Sequence, residues 1–342
     1  MIRRIKNAST ATCTLPIYMG FLMTEPNSIS CTQLAETYNI SHDSVNRFLE
    51  REDYTPHDLY QEAIQHIDNN KLIVSIDDTV LDKPYSQHMD LVSYFWSGKH
   101  HRSVKGINLI TLYATDQNGQ NIPINFRIYD KSEGKTKNDY FMDMLSEVLS
   151  WGAKIQFITG DSWYSSTGNL KTIRKHGIRF MFGIDCNRKV SPEKGQWFQL
   201  RLLPDFHQGQ VVWLKDFGFV QLFKTQLKEQ QRFYIVHQDE DDLLSFEGFH
   251  ELHSSHWKIE QYHRVIKQVC HIEKFQVRRS KLILNHIFSA LMAYVEIQKN
   301  QFEGIFENVY RWQKKLFRPI IKDFIDDFIL DKNHLLPQRV YK

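Results

Sequence analysis

The sequence predicts an α/β fold in which a mixed sheet is flanked by helices, with a helical segment before the sheet and a β-rich insertion within it. Apolar runs of strand length at 71–77 and 153–160 alternate with helix-length stretches at 138–152 and 167–177. From residue 71 the predicted order is β, β, β, α, β, α, β. Short aromatic segments separated by polar turns follow at 186–247 and predict a small β-rich unit of several strands.

The N-terminal part carries a different pattern. Residues 31–51 divide into two short amphipathic helices separated by Asn39, Ile40 and Ser41, and Ser41 stands where an N-cap would begin the second helix. This is the helix-turn-helix arrangement, whose second helix can lie in the major groove of DNA. A plain helical hairpin would give the same pattern. We therefore expect an N-terminal helical, DNA-binding domain over residues 1–68, with the hairpin as the alternative.

The β-rich unit interrupts the α/β domain, because the elements on either side of it together make up one sheet and its helices. The changes of pattern place the first part of the core at 69–185, the insertion at 186–247, the second part of the core at 248–300 and a C-terminal helical tail at 301–342. Within the first part, an Asn118–Gly119 turn predicts a β-hairpin.

Composition excludes several classes of protein. The chain has 342 residues, of which 42% are hydrophobic and 24% charged, as in ordinary globular proteins. The four cysteines lie far apart without a C-x-x-C pair, which argues against a structural zinc site or a disulfide framework. The sequence has neither a secretory signal pattern nor an uncharged apolar run of about 20 residues. We expect a cytoplasmic protein that does not enter a membrane.

The net charge of +3 is small, but basic residues are concentrated at four places along the chain. These clusters lie at residues 2–6, 98–106, 131–137 and 277–281. Solvated loops and helix ends explain any one of them. Four together are compatible with a surface that faces phosphate groups.

A helix predicted at 253–271 has two distinct stripes. Its apolar stripe consists of Ile259, Tyr262, Ile266 and Val269, which must face a core. Its polar stripe consists of His253, His256, Glu260, Arg264 and Lys267. Solvent exposure would explain the polar stripe alone, since a Glu260–Arg264 pair contributes only about 0.3–0.5 kcal/mol.

Acidic residues at strand ends favour a functional explanation of that stripe. Asp77, Asp78 and Asp161 each follow a buried apolar strand, where α/β sheets tend to carry their sites. Carboxylates held close together repel one another unless a cation neutralises them, and Mg²⁺ prefers such oxygen ligands. Aspartates on two neighbouring strands and Glu260 on a helix would suit a two-metal site for phosphodiester cleavage, with ions about 3.5–4 Å apart.

The spacing of these acids resembles that of the DDE transposases of bacterial insertion sequences. "SIDDT" is similar to the strand of the first aspartate, "ITGDSWYSS" to that of the second, and Glu260-x6-Lys267 to the end of the motif Y-x2-R-x3-E-x6-K. The resemblance covers roughly residues 70–300. It implies an RNase H-like core interrupted by a β-rich insertion.

The resemblance also implies roles for individual residues. Asp78, Asp161 and Glu260 would be the catalytic acids and the ligands of two Mg²⁺ ions, for which Mn²⁺ can substitute. His253, His256, Arg264 and Lys267 would contact DNA phosphates. In similar transposases an aromatic residue of the insertion stacks on a flipped base, and the candidates here are Trp197 and Trp213, for which a place in an aromatic core is the alternative.

The sequence departs from the family pattern at two positions and is ambiguous at a third. His253 and His256 stand at the Tyr and Arg positions of the motif, and a histidine is only partly charged near neutral pH, which weakens the expectation of anion binding. Asp78 is preferred over Asp77 as the first acid because Thr79 follows it directly and because Asp78 shares a strand face with Val74 and Ile76. Asp77 would then lie on the other face, as a turn or cap residue.

The function implied is a DNA transposase that cleaves strands and transfers them at insertion-sequence ends by a cut-and-paste route. Its partners would be double-stranded DNA, as terminal inverted repeats and target, and a second copy of the chain in the synaptic complex. The protein would be a bacterial cytoplasmic one, associated with the nucleoid when bound to DNA. Two alternatives remain: a metal-dependent DNA nuclease of the same fold without joining activity, and a DNA-binding regulator derived from a transposase.

Overall fold

The computed structural model describes residues 11–25, 29–98, 100–227, 230–237 and 243–333. The basic cluster predicted at 2–6 lies outside the described residues, as do the two ends of the chain at 1–10 and 334–342.

Nine helices and eleven strands are found in these segments. The helices are α1 Leu15–Thr24, α2 Cys31–Tyr38, α3 His42–Arg51, α4 Pro56–Ala63, α5 Lys137–Ser150, α6 Thr167–Lys175, α7 Phe246–Gln268, α8 Ser280–Phe302 and α9 Val309–Asn333. The strands are β1 Leu72–Asp82, β2 Ser93–Ser97, β3 Arg102–Thr115, β4 Asn121–Ile128, β5 Ile155–Gly160, β6 Arg179–Ile184, β7 Lys189–Ser191, β8 Phe198–Gln199, β9 Gln210–Leu214, β10 Gly218–Leu227 and β11 Gln230–His237. None of the helices in the described segments is both long enough and apolar enough to cross a membrane.

The centre of the sheet is the mixed arrangement that the sequence predicts. β1 runs antiparallel to β3 and parallel to β5, β5 runs parallel to β6, and β4 pairs with β3 as an antiparallel hairpin. At the hairpin turn Gly119 has φ of 80°, and the Asp116 side chain accepts hydrogen bonds from the Asn118 and Gln120 amides at 2.9 Å. The RNase H-like strand order and the predicted hairpin are therefore confirmed.

The insertion does not form a separate unit in this fold. Its strands continue the same sheet in the order β6-β11-β10-β9-β7-β8, with β11 antiparallel to β6. This difference from the sequence prediction has a physical reason: β5 pairs with only one side of β6, and β11 pairs with the main-chain groups of the other side, which would otherwise form an open edge.

The N-terminal helices pack directly against the core. α1, α3 and α4 pack against α8, and their buried side chains belong to the same continuous hydrophobic cluster as the sheet. Tyr54 stacks on Phe288 of α8 at 4.2 Å between ring centroids. The predicted N-cap is present, since the Ser41 hydroxyl accepts a hydrogen bond from the Asp43 amide at 3.2 Å. The α2–α3 hairpin therefore rests on a fixed support.

Helix α7 lies across one face of the sheet, where it packs against β1 and β5. Ile259, Tyr262, Ile266 and Val269 are all buried, as their spacing predicts. Tyr262 stacks on Tyr113 of β3 at 4.9 Å. This packing fixes the rotation of α7 relative to the sheet, with His256 facing β5, Lys267 facing β1, and Glu260 and Arg264 exposed.

Candidate active site

Asp77 and Asp78 point to opposite faces of β1. Asp77 pairs with Thr111 and Asp78 with Ile110, both within the regular β1–β3 ladder. The carboxylate of Asp77 accepts a hydrogen bond from the Asp78 amide at 2.8 Å, and its Oδ2 lies 3.6 Å from His263 Nδ1 of α7. Asp77 is thus a mid-strand residue that faces α7, and not the turn or cap residue expected from the sequence.

Asp78 is held by donors from three other elements. Its Oδ2 accepts hydrogen bonds from Asn108 Nδ2 and Lys137 Nζ, both at 2.6 Å, and its Oδ1 accepts one from the Tyr164 hydroxyl at 2.9 Å. Only 16% of each side chain of the Lys137–Asp78 ion pair is exposed. The carboxylate preferred by sequence reasoning is therefore engaged on the face opposite α7.

Asp161 follows β5 directly, at the start of a 3₁₀ turn over Ser162–Tyr164. Its carboxylate accepts a hydrogen bond from the Trp163 amide at 2.9 Å. Gly160 precedes it, and a Cβ there would lie 2.6 Å from the Phe182 ring and 2.8 Å from the Ile76 side chain. Glycine thus allows β1, β5 and β6 to approach closely where Asp161 leaves the sheet.

The acids act on one another electrostatically. Burial, followed by the negative charges of Asp161, Asp78 and Glu260, raises the pKa of Asp77 well above its usual value of 3.8. Loss of hydration and then the charge of Asp78 raise the pKa of Asp161 to about 6. Asp161 is exposed, so water screens part of the charge effect on its pKa. The middle of β1 and the end of β5, which lie next to each other in the sheet, therefore carry an excess of negative charge.

Glu260 is an exposed residue of α7, one helical turn from both His256 and His263. Its charge reaches Asp77, as the raised pKa of that aspartate indicates. Among the residues that the structure describes, no three His, Cys, Asp or Glu side chains already converge as ligands of one ion. The oxygen donors are of the kind that Mg²⁺ prefers, and an exposed glutamate has rotamer freedom to move toward a cation.

The two histidines predicted to contact DNA turn toward the protein. His256 Nδ1 lies 3.2 Å from the Thr159 hydroxyl, which in turn lies 2.8 Å from the Ser75 hydroxyl. Burial lowers the pKa of His256 to about 4, so its ring is neutral at neutral pH. His253 Nε2 lies 3.0 Å from the Tyr234 hydroxyl, and burial lowers its pKa as well.

The two cations of the stripe differ in exposure. Lys267 Nζ donates a hydrogen bond to the Val80 carbonyl at 2.6 Å and lies 3.8 Å from Glu273 Oε2, so it joins α7 to β1. Arg264 is exposed, and its charge opposes the rise in pKa that burial imposes on Tyr310 of α9.

The aromatic candidates of the insertion are not enclosed in a core. Trp213 is 43% exposed and meets Phe219 edge to face at 4.8 Å between centroids, while Trp197 is 45% exposed.

Sequence reasoning missed several residues of this site. They are Asn108, Lys137, Tyr164 and His263. Asn108 carried a signal, because it interrupts the apolar run "GINLITL". His263 carried one too, since it lies three residues after Glu260 and so falls on the same side of α7.

Comparison with known proteins identifies a family for most of the chain. The family described as "Transposase DDE domain" matches residues 68–295, a range that contains Asp77, Asp78, Asp161 and Glu260. A search of curated proteins found no match to the chain.

Proposed function

Because this chain belongs to the transposase DDE domain family, we propose that it cleaves DNA strands at the ends of an insertion sequence and joins them to target DNA in a cut-and-paste reaction. The observation that supports the proposal is electrostatic: the charges of Asp161, which follows β5, and of Glu260 on α7 both act on Asp77 of β1.

We assign Asp77, Asp161 and Glu260 as the acids that hold divalent cations, with Asp77 in place of Asp78. Asp77 faces α7 and Glu260, whereas the carboxylate of Asp78 already accepts hydrogen bonds from Lys137, Asn108 and Tyr164. The raised pKa of Asp77 supports a cation site here. Neighbouring carboxylates that are shielded from water can all stay ionised only when a positive charge lies between them.

Two Mg²⁺ ions, or Mn²⁺ in their place, would supply activation of the attacking oxygen and stabilisation of the leaving oxygen. The chain's own residues hold the ligands in place. The Asp78 amide and His263 orient Asp77, and the 3₁₀ turn after β5 orients Asp161. Lys137 neutralises Asp78, which limits repulsion inside the cluster.

Contacts to DNA divide between two parts of the chain. Arg264 is exposed beside Glu260 and is the side chain of α7 most suited to a phosphate. Lys267, His253 and His256 act mainly through the protein contacts that hold α7 on the sheet. The α2–α3 hairpin would read the terminal inverted repeats, and two copies of the chain would bring the two ends together.

The test is an assay of purified protein with Mg²⁺ on duplex DNA that carries the terminal repeats of its element. Cleavage and joined product are expected from the wild type, and neither from Asp77→Asn, Asp161→Asn or Glu260→Gln. Cleavage without joined product would identify a nuclease instead. A wild type that binds the repeats but behaves like Asp161→Asn in both steps would contradict the enzymatic function and favour a DNA-binding regulator.

A further inference from the structure

Trp163 presents its indole ring to solvent beside the acid cluster. Its side chain is 63% exposed, whereas tryptophan side chains are highly buried on average. Its main-chain amide donates a hydrogen bond to Asp161 Oδ1 at 2.9 Å, so the ring is attached directly beside a carboxylate that we assign to the metal ions. A DNA strand whose phosphate reaches these ions must therefore pass close to the ring.

The turn that carries Trp163 is held in place by its neighbours. The next residue, Tyr164, is buried, and its hydroxyl donates a hydrogen bond to Asp78 Oδ1 at 2.9 Å. On the side of β6, the turn packs against Gly183, where a Cβ would lie 3.0 Å from the Ser162 amide nitrogen. The main chain of Trp163 is thus fixed relative to the acids before any substrate binds.

One face of the Trp163 ring is occupied by a cation. Lys137 Nζ lies over the ring, 5.5 Å from its centroid, which is within the range of a cation–π contact. The same ammonium lies 2.6 Å from Asp78 Oδ2, so the contact holds the ring on the side of the acids. Because most of the side chain remains exposed, the opposite face of the indole is open.

An open aromatic face distinguishes a cut strand from an intact one. Every base inside a duplex is stacked on both of its faces. A base at a cut end has one free face, and aromatic side chains stack on the faces of all bases. Where cleavage takes place next to an open indole, the ring can cover the base that the cut exposes.

We propose that Trp163 stacks on the terminal base of the strand that is cut at the acid cluster. The contact keeps the cut end beside Asp77, Asp161 and Glu260, so that the joining step can follow before the end dissociates. Lys137 is the positioning residue that holds the ring. The inference rests on the proposed function, because it states how that active site retains its DNA between cleavage and joining.

The test uses DNA that is already cut, so that binding is measured without chemistry. One duplex stops at the outer end of the terminal repeat and carries 2-aminopurine, a fluorescent base that stacking quenches, as the last base of the strand to be transferred. A longer duplex carries the same base internally. Both are titrated with the full chain in Ca²⁺, which takes oxygen ligands as Mg²⁺ does.

The wild type should quench the terminal probe. Trp163→Ala should lose this quenching and raise the Kd for the cut duplex about tenfold, in the range found for loss of one stacking contact, while the Kd for the longer duplex stays unchanged. Trp163→Phe keeps an aromatic ring and should remain closer to the wild type than to Trp163→Ala in both readouts. Binding of Mn²⁺ without DNA should be the same in all three proteins, because the main-chain hydrogen bond to Asp161 is retained.

Trp96→Ala is the matched control, because Trp96 is 65% exposed and lies far from the acids. Trp96 is opposite Ser103 of β3 and Asp77 is opposite Thr111, eight residues further along, which corresponds to about 27 Å. This variant should bind both duplexes as the wild type does.

The outcomes separate this inference from the proposed function. An unquenched terminal probe in the wild type, or an equal change of Kd for both duplexes in Trp163→Ala, would overturn the stacking inference, and cleavage of uncut DNA would still decide the proposed function. Weaker Mn²⁺ binding by Trp163→Ala would assign the ring to the structure of the acid site and also overturn the inference. The expected binding results with a wild type that cleaves no DNA in Mg²⁺ would support the stacking contact and contradict the enzymatic function.

Discussion

His263 Nδ1 of α7 lies 3.6 Å from Oδ2 of Asp77 in the middle of β1. Burial lowers the pKa of His263 to about 3, so the ring is neutral and restricts the space open to the carboxylate without neutralising it. Within the described residues, His263 Nε2 is buried and has no hydrogen-bond partner. The contact joins α7, which carries Glu260, to β1, which carries Asp77.

The two adjacent aspartates of β1 should respond differently to substitution. Asp77→Asn should lower metal-dependent cleavage at least about a thousandfold, since removal of a metal ligand forfeits several kcal/mol of charge stabilisation. Asp78→Asn should keep far more activity but lower the free energy of unfolding by about 1–3 kcal/mol, because the Lys137 ammonium loses its charged partner. Cleavage rates and urea denaturation of both variants measure this, and the reverse ranking of activities would restore Asp78 as the first acid.

His263 should contribute to the affinity of the acid site for its metal ions. His263→Ala should raise the Mg²⁺ concentration needed for half-maximal cleavage about tenfold or more, as loss of a residue that orients a metal ligand does. Mn²⁺ binding followed by calorimetry gives a second readout without DNA. Gln268→Ala, an exposed change on the same helix, is the control. An unchanged metal dependence would show that the ring serves packing alone.

The raised pKa of Asp161 should appear in the pH dependence of stability without metal. The folded state binds its proton more tightly than the unfolded state, so stability falls as pH rises from the usual value of 3.8 to about 6. Histidines with lowered pKa values, such as His256 and His263, give the opposite slope over the acid range.

The difference between wild type and Asp161→Asn removes these shared contributions. The wild type should lose stability relative to the variant between pH 4 and pH 6, and Mg²⁺ should restore it above pH 6. Urea denaturation at each pH supplies the difference, and a constant difference across this range would contradict the electrostatic account of the cluster.

The N-terminal helices should unfold together with the core. Asn285 of α8 donates hydrogen bonds to the Leu49 and Glu52 carbonyls, both at 2.7 Å, in a fully buried position. Asn285→Ala should cost about 1–3 kcal/mol because two buried carbonyls lose their donor. Denaturation followed by circular dichroism and by tryptophan fluorescence should give coincident transitions, with the exposed Lys281→Ala as control. Two separate transitions would show that the helices form an independent domain.

The sequence pattern correctly predicted the elements that depend on neighbouring residues. The apolar spacing of α7, the Ser41 cap and the Asn118–Gly119 hairpin follow from neighbouring residues, and the structure contains all three. The alternation along β1 also separated Asp77 from Asp78 correctly.

Alternation could not tell which face of β1 meets α7, because each face carries one aspartate together with apolar side chains, and only the assembled fold shows which helix covers it. The contact of Ser75 with Thr159, and of Thr159 with His256, marks the α7 face. Such pairings join residues more than eighty positions apart. The joining of the insertion to β6 likewise depends on an edge that only the assembled sheet presents.

The most direct test of the central claim is a crystal structure of the chain grown with Mn²⁺ and measured at a wavelength that reveals manganese. The account predicts anomalous density bounded by the carboxylates of Asp77, Asp161 and Glu260, and its loss in Asp77→Asn. Manganese bound at Asp78, or absent from all three carboxylates at saturating Mn²⁺, would contradict it.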